Sequence, residues 1–240
     1  MVKAKVEDQI TIAGITGVPT GIEPYNGPSG MADNITSSDL RLPRVALLQA
    51  LSPQVQNDGG KYKQGMFIDT LTQDVLPSTV VFTPVFVFKN VIKWKPRNEG
   101  GGMIWKTTNP TPEQLADTQW NGDKKPVADV YINAVVLIKG STTPMILSFC
   151  KTSLKAGQDL ATLCFLSKPC WKYSYNLDAV KVSNTKGTFY VMRVTRGSLN
   201  DSNQVIEASE LFEQVKGMAI DTDYEGSTHS DNASTEPTEF

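Results

Sequence analysis

Histidine is almost absent from this chain, and that scarcity alone removes several kinds of chemistry. The 240 residues contain one, His229, set in a polar stretch near the C-terminal end. Ser-His-Asp and Cys-His nucleophile pairs need an imidazole held by a folded framework, so neither is expected. Cysteine is scarce too. Cys150, Cys164 and Cys170 are the three present, an odd number that builds no disulfide framework. A zinc site needs about four placed ligands, and these residues do not supply them. Small buried thiols in a reducing compartment are the expectation. Gly100-Gly101-Gly102 is not followed by Gly-Lys-Ser or Gly-Lys-Thr, so no phosphate-cradling loop is present. His-Glu-x-x-His and EF-hand patterns are missing as well. The chain reads as a non-enzyme with no cofactor.

Long apolar runs are also lacking. Nothing approaches the roughly 20 residues that span a bilayer. The start, Met1-Val-Lys-Ala-Lys, carries early charge without the apolar stretch of a secretory signal. A cytoplasmic protein with no membrane partner is expected.

Charge is unevenly spread. Asp221, Asp223, Glu225, Asp231, Glu236 and Glu239 are acidic, and no Lys or Arg lies between Asp221 and Phe240. The preceding 220 residues therefore hold 23 basic against 19 acidic side chains, a net of +4. A mildly basic body ends in an acidic tail.

Three segments follow from composition. Residues 1–39 read as a flexible arm, because Gly and Pro among Thr, Ser and Asn bury too little apolar area to offset ordering entropy. Residues 221–240 read the same way. Between them, 40–220 form the folded body. Leu42–Leu51 favours a strand bounded by Pro43 and Pro53. Asn57–Gly60 is a turn, and Gly65–Val75 a short strand and turn. Val80–Lys95 is the strongest β signal, with Pro84 marking an edge or bulge. A long loop is expected from Pro96 to about Ala128. Val130–Lys139 and Pro144–Lys151 are strands joined at Gly140-Ser141. Thr152-Ser153 caps a helix to about Leu166 with Leu160, Leu163 and Cys164 inward, ended by Pro169. Lys172–Ser183 and Thr188–Thr195 form a last hairpin. Ser202 caps a final helix carrying Val205, Ala208, Leu211, Phe212, Val215 and Met218 at helical spacing.

Strand, loop, strand, turn, strand, helix, strand, turn, strand is the order of an OB-type barrel, so the fold class is mainly β (α+β). Another β-rich fold with peripheral helices is the competing reading. In an OB barrel, strands two and three and two flanking loops form the binding surface. Here Tyr131, Asn133 and Lys139 fall opposite the apolar face of strand two.

Trp94, Trp105, Trp120 and Trp171 lie in or beside these elements. Lys93, Lys95, Lys106, Lys124, Lys125 and Lys172 accompany them. An unpaired nucleic-acid strand needs cations along its phosphates and aromatic faces for its bases, each stack contributing roughly 1–3 kcal/mol. Trp171, Tyr173 and Tyr175 alternate, so they either form a stacking ridge or pack inward under the helix. Lys151 and Lys155 flank the helix start. Lys186 and Arg193 sit on the last hairpin. Each residue also has a plain alternative, as core aromatic or solvated charge.

A basic OB-type barrel with an acidic end finishing on Phe240 resembles bacterial and bacteriophage single-stranded DNA-binding proteins, closest to the phage-encoded kind with one larger barrel. The resemblance lies in the layout over Val80–Arg196 and in Glu236, Glu239 and Phe240, without a long matching motif. It implies support of replication or recombination, with single-stranded DNA or RNA as ligand and replication or recombination proteins docking on the tail. The rivals are a protein-binding module acting on a host polymerase or nuclease, a virion or scaffold β-protein, and an enzyme of unrecognised type.

Overall fold

Between Leu42 and Lys216 a computed structural model describes every residue except Asp58, Arg97, Asn98, Thr142 and Lys186. These residues belong to one compact unit, Ser37–Phe240. The expected N-terminal arm and acidic tail, with Glu236, Glu239 and Phe240, lie outside the described residues, as do Lys186 and Met218.

The strands are β1 (Arg44–Leu47), β2 (Phe67–Asp69), β3 (Thr79–Trp94), β4 (Met103–Thr107), β5 (Ala128–Ile138), β6 (Pro144–Cys150), β7 (Tyr173–Asn184) and β8 (Gly187–Leu199). The helices are α1 (Pro53–Asn57), α2 (Pro112–Ala116), α3 (Leu154–Ser167) and α4 (Ser202–Val215). The chain is mainly β and builds an open, curled, barrel-like sheet of eight strands. Its order is β2-β1-β6-β5-β3-β7-β8, with β4 attached to β3.

β3 is the spine. It pairs with β5 from Phe82 to Lys93, with β7 from Thr79 to Phe82, and with β4 from Val91 to Trp94. Pro84 has no N–H to donate, and the β3–β5 register shifts there, between Pro84 and Phe86. Pairing with β7 has already ended at Phe82. The Cys170 thiol instead donates to the Val85 carbonyl at 3.2 Å.

Both faces of the sheet carry apolar cover, which explains why both parities of these strands are hydrophobic. On the inner face Val80, Phe82, Ala134, Val136, Leu147, Phe149 and Leu177 meet Ala156, Leu160 and Cys164 of α3. On the outer face Val85, Val135, Phe86 and Phe88 meet Ala208, Leu211, Phe212 and Val215 of α4. A strand buried on both sides loses the simple alternation of a half-exposed one.

The helix caps differ from expectation by a residue or in kind. α4 is capped by Asp201, not Ser202. The Asp201 carboxylate accepts from the Gln204 N–H while the Gln204 side chain accepts from the Asp201 N–H, a reciprocal box. Ser153 precedes α3, yet its hydroxyl accepts from the Met192 N–H of β8 at 3.1 Å instead of capping the helix. Beside it, the Gln49 amide receives the Tyr190 N–H at 3.0 Å and donates to the Tyr190 carbonyl at 2.8 Å. Two side chains thereby occupy the edge of β8, which among the described residues pairs only with β7.

No described helix is long and apolar enough to cross a membrane.

Candidate functional site

The segment expected as one long loop, Pro96–Ala128, contains β4 and α2. With the end of β3 and the start of β5 they form an arm. β4 is only five residues long, too short to leave a period in the sequence. α2 did leave a sign: Thr111-Pro112-Glu113-Gln114 is a capping box with proline in the first turn, and both reciprocal bonds form.

Register decides which side chains meet, since residues directly opposed on neighbouring strands share a face. Lys93 lies opposite Trp105 on β4 and Ala128 on β5. This face continues the one that carries the α3 core further along β5. Ile92, Lys106 and Asp129 occupy the other face. There Trp94 packs with Ile92, Tyr131 and Cys150, and its indole N–H donates to the Tyr131 hydroxyl at 3.3 Å. The expected outward position of Tyr131 is therefore corrected. It does lie opposite the α3 face, but it is 1% exposed and offers no ring to a ligand. Its neighbour Asn133 is buried as well.

Asp117, at the C-terminal end of α2, fastens the arm. Its carboxylate pairs with the Lys93 ammonium at 2.8 Å. Its carbonyl accepts from the N–H groups of Val127 and Ala128 at 2.9 and 3.0 Å. The chain from 118 to 127 is thus pinned at both ends. Within it Asn121 and Lys124 exchange backbone hydrogen bonds across a tight turn, and Gly122 supplies the left-handed conformation at φ +60°. Trp120 stands beside this turn 65% exposed, the most open of the four indoles, and Lys124 and Lys125 are exposed next to it. Lys95, also exposed, follows β3, and its N–H donates to Gly102 at 2.8 Å.

Other expected residues lie elsewhere. Lys139 is exposed just beyond the far end of β5, about 36 Å along the strand from Ala128 at roughly 3.3 Å per residue. Lys155 pairs with Asp159 one helical turn on, and Lys151 lies 3.8 Å from Asp129. Arg193 pairs with Asp178 at 3.4 Å. The three alternating aromatics do not make a ridge. Trp171 belongs to a short 3-10 turn and packs on Phe212, ring centres 5.1 Å apart. Tyr175 is fully buried. Tyr173 remains half-buried, with the Arg196 guanidinium 4.9 Å and the Lys172 ammonium 5.7 Å from its ring centre. This is a second basic and aromatic cluster, separate in sequence from the arm.

Sequence reasoning missed two residues of the arm, Asp117 and Lys89. Lys89 is exposed, opposite Ile132, with the same parity as Lys93. That spacing within an apolar strand was the available signal.

Cys150 and Cys164 agree with a structural role, while contact with Cys164 draws the Cys170 thiol below its ordinary value. All three are free. Burial, aided by the Asp129 carboxylate, pushes the Cys150 thiol up to about 11. Cys164 is held protonated far above its ordinary range, by its contact with Cys170 and by burial. Cys150 should therefore resist iodoacetamide in the native protein at pH 8 and label only as pH climbs toward 11, checked by mass spectrometry of the Cys150 peptide. Prompt native labelling at pH 8 would contradict this. A thiol pKa raised on folding contributes stability in full below about pH 8.5 that is lost as pH rises through the folded value.

Among the described residues no group of three or more His, Cys, Asp or Glu side chains could hold a metal ion. No curated protein and no solved structure matches the chain. A family model does match, over residues 18–221, and by that match across most of its length the chain belongs to the Pam3 phage gp34-like protein family.

Proposed function

We propose that the protein binds single-stranded DNA with little sequence preference, using the β3–β4–β5 arm, in support of phage DNA replication or recombination. The observation that carries this reading is the pinned turn: an open indole, Trp120, next to Asn121, whose backbone bonds Lys124 across the turn, with Lys124 and Lys125 exposed. An aromatic face at 65% exposure is costly to leave in water. Beside cations it suits a base and its phosphate. Half-buried Trp105, with Lys93 opposite and Lys95 close by, extends the track.

An OB-type reading of the fold rests on element order. β3, β5 and β6, then α3, then β7 and β8 reproduce five strands with the helix after the third. β1, β2 and β4 are then additions to that plan. The acidic segment 221–240, through Glu236, Glu239 and Phe240, is proposed to recruit replication or recombination proteins. Family membership supports a phage setting.

The test is a titration of the full chain with oligothymidine, duplex DNA and RNA at two salt concentrations, read by tryptophan fluorescence and gel shift. Quenching and a shift with oligothymidine, both weakened steeply by salt, are expected. Unchanged fluorescence together with no shift at low salt would reject the reading.

A further inference from the structure

We propose that the Lys93–Asp117 ion pair is a latch that single-stranded DNA exchanges on binding, with Asp117 as a positioning residue whose carboxylate competes with phosphate for Lys93. The inference rests on the reading above and adds to it a built-in competitor for the ligand.

Three observations converge on Asp117. Its carboxylate holds the Lys93 ammonium at 2.8 Å with both side chains about 30% exposed, so the pair is sheltered but within reach of solvent. Its own N–H donates to Glu113 in α2, and its carbonyl receives the N–H groups of Val127 and Ala128. The residue that neutralises Lys93 is thereby the one that ties off the Trp120 turn. Lys93 in turn sits between Trp105 on β4 and Ala128 on β5. It is the cation of the arm most tightly placed by strand pairing on both sides.

In the free protein Asp117 serves as the counterion of Lys93. A phosphate taking its place must release that carboxylate into solvent, where it gathers a cation. Lys93 then contributes little to the net release of salt ions that makes affinity fall with salt. The backbone bonds of Asp117 do not involve its carboxylate and stay in place, so the turn keeps its shape while the side chain swings away. The arrangement disfavours ligands that engage Lys93 alone and rewards those that also stack on the turn.

The experiment compares wild type with Asp117→Asn, whose amide keeps an acceptor for Lys93 and whose backbone bonds are unchanged, but which lacks the charge. Oligothymidine affinity is measured by anisotropy from 50 to 200 mM salt, and thermal melting checks that both proteins are folded. Asp117→Asn should bind more tightly at low salt. Its slope of log affinity against log salt should be steeper by about 0.7, so its advantage shrinks about 2.6-fold across that range. In the Asp117→Asn background, Lys93→Gln should return the slope to the wild-type value. Equal slopes, or weaker binding by a folded Asp117→Asn, would overturn the latch while leaving the nucleic-acid reading intact. Failure of both proteins to bind would remove that reading and the exchange with it.

Discussion

Replacing Gly157 with valine should lower the stability of the fold by roughly 2–3 kcal/mol. Glycine inside a helix ordinarily costs about 1 kcal/mol relative to alanine, so its place in α3 needs a reason. The reason is the approach of α3 to the inner face of the sheet. A side-chain carbon at 157 would lie 2.7 Å from Cβ of Phe149 and 2.9 Å from Cβ of Ile132. Those atoms are fixed to β6 and β5 and cannot rotate away. Valine places two more carbons in the same gap, so α3 must lift off the sheet and uncover Ala156, Leu160 and Cys164. A loss of this size corresponds to a fall of about 4–12 °C in melting temperature, read by calorimetry or circular dichroism. Thr162→Ala, exposed on the same helix, is the control and should stay within about 0.5 kcal/mol of wild type. A valine variant that melts with the wild type would mean that the helix does not sit as close as described.

The second large effect concerns the ligand. Trp120→Ala should weaken oligothymidine binding roughly 5- to 150-fold, the loss of one base stack of about 1–3 kcal/mol. Trp171→Phe should change it little, because that indole packs on Phe212 of α4. Changing Lys124 and Lys125 together to glutamine should flatten the salt slope by about 1.4, two phosphate contacts' worth. Anisotropy titrations at fixed low salt separate these cases. Equal affinity of wild type and Trp120→Ala would take the turn out of the interface. The folded state of Trp120→Ala is not at issue, since the side chain is mostly in water and supports no part of the core.

The strands that could be read from the sequence are those whose residues alternate or cluster strongly. β3, β5, β6 and the β7–β8 hairpin fall where Val, Ile and Phe accumulate between glycine turns, and α3 and α4 follow their apolar spacing. β4 was not readable, since Met103–Thr107 follows three glycines and takes its partner from β3, not from a pattern of its own. The parity of Tyr131 was legible; its burial was not, since a single strand does not announce that its second face is covered. At the arm, composition pointed to lysine and tryptophan but not to the carboxylate that organises them. Asp117 looks like any exposed acid until β3 and α2 are brought together across 24 residues. Contacts of that kind depend on tertiary assembly and leave no local signature.

The way the rim at Gln49 and Ser153 is finished has a bearing on how the molecule behaves in company. A bare strand border is a template for stray chains. Here an amide and a hydroxyl sit on it at Tyr190 and Met192, imitating a neighbour without being one. Such a cover blunts stacking between copies at those points.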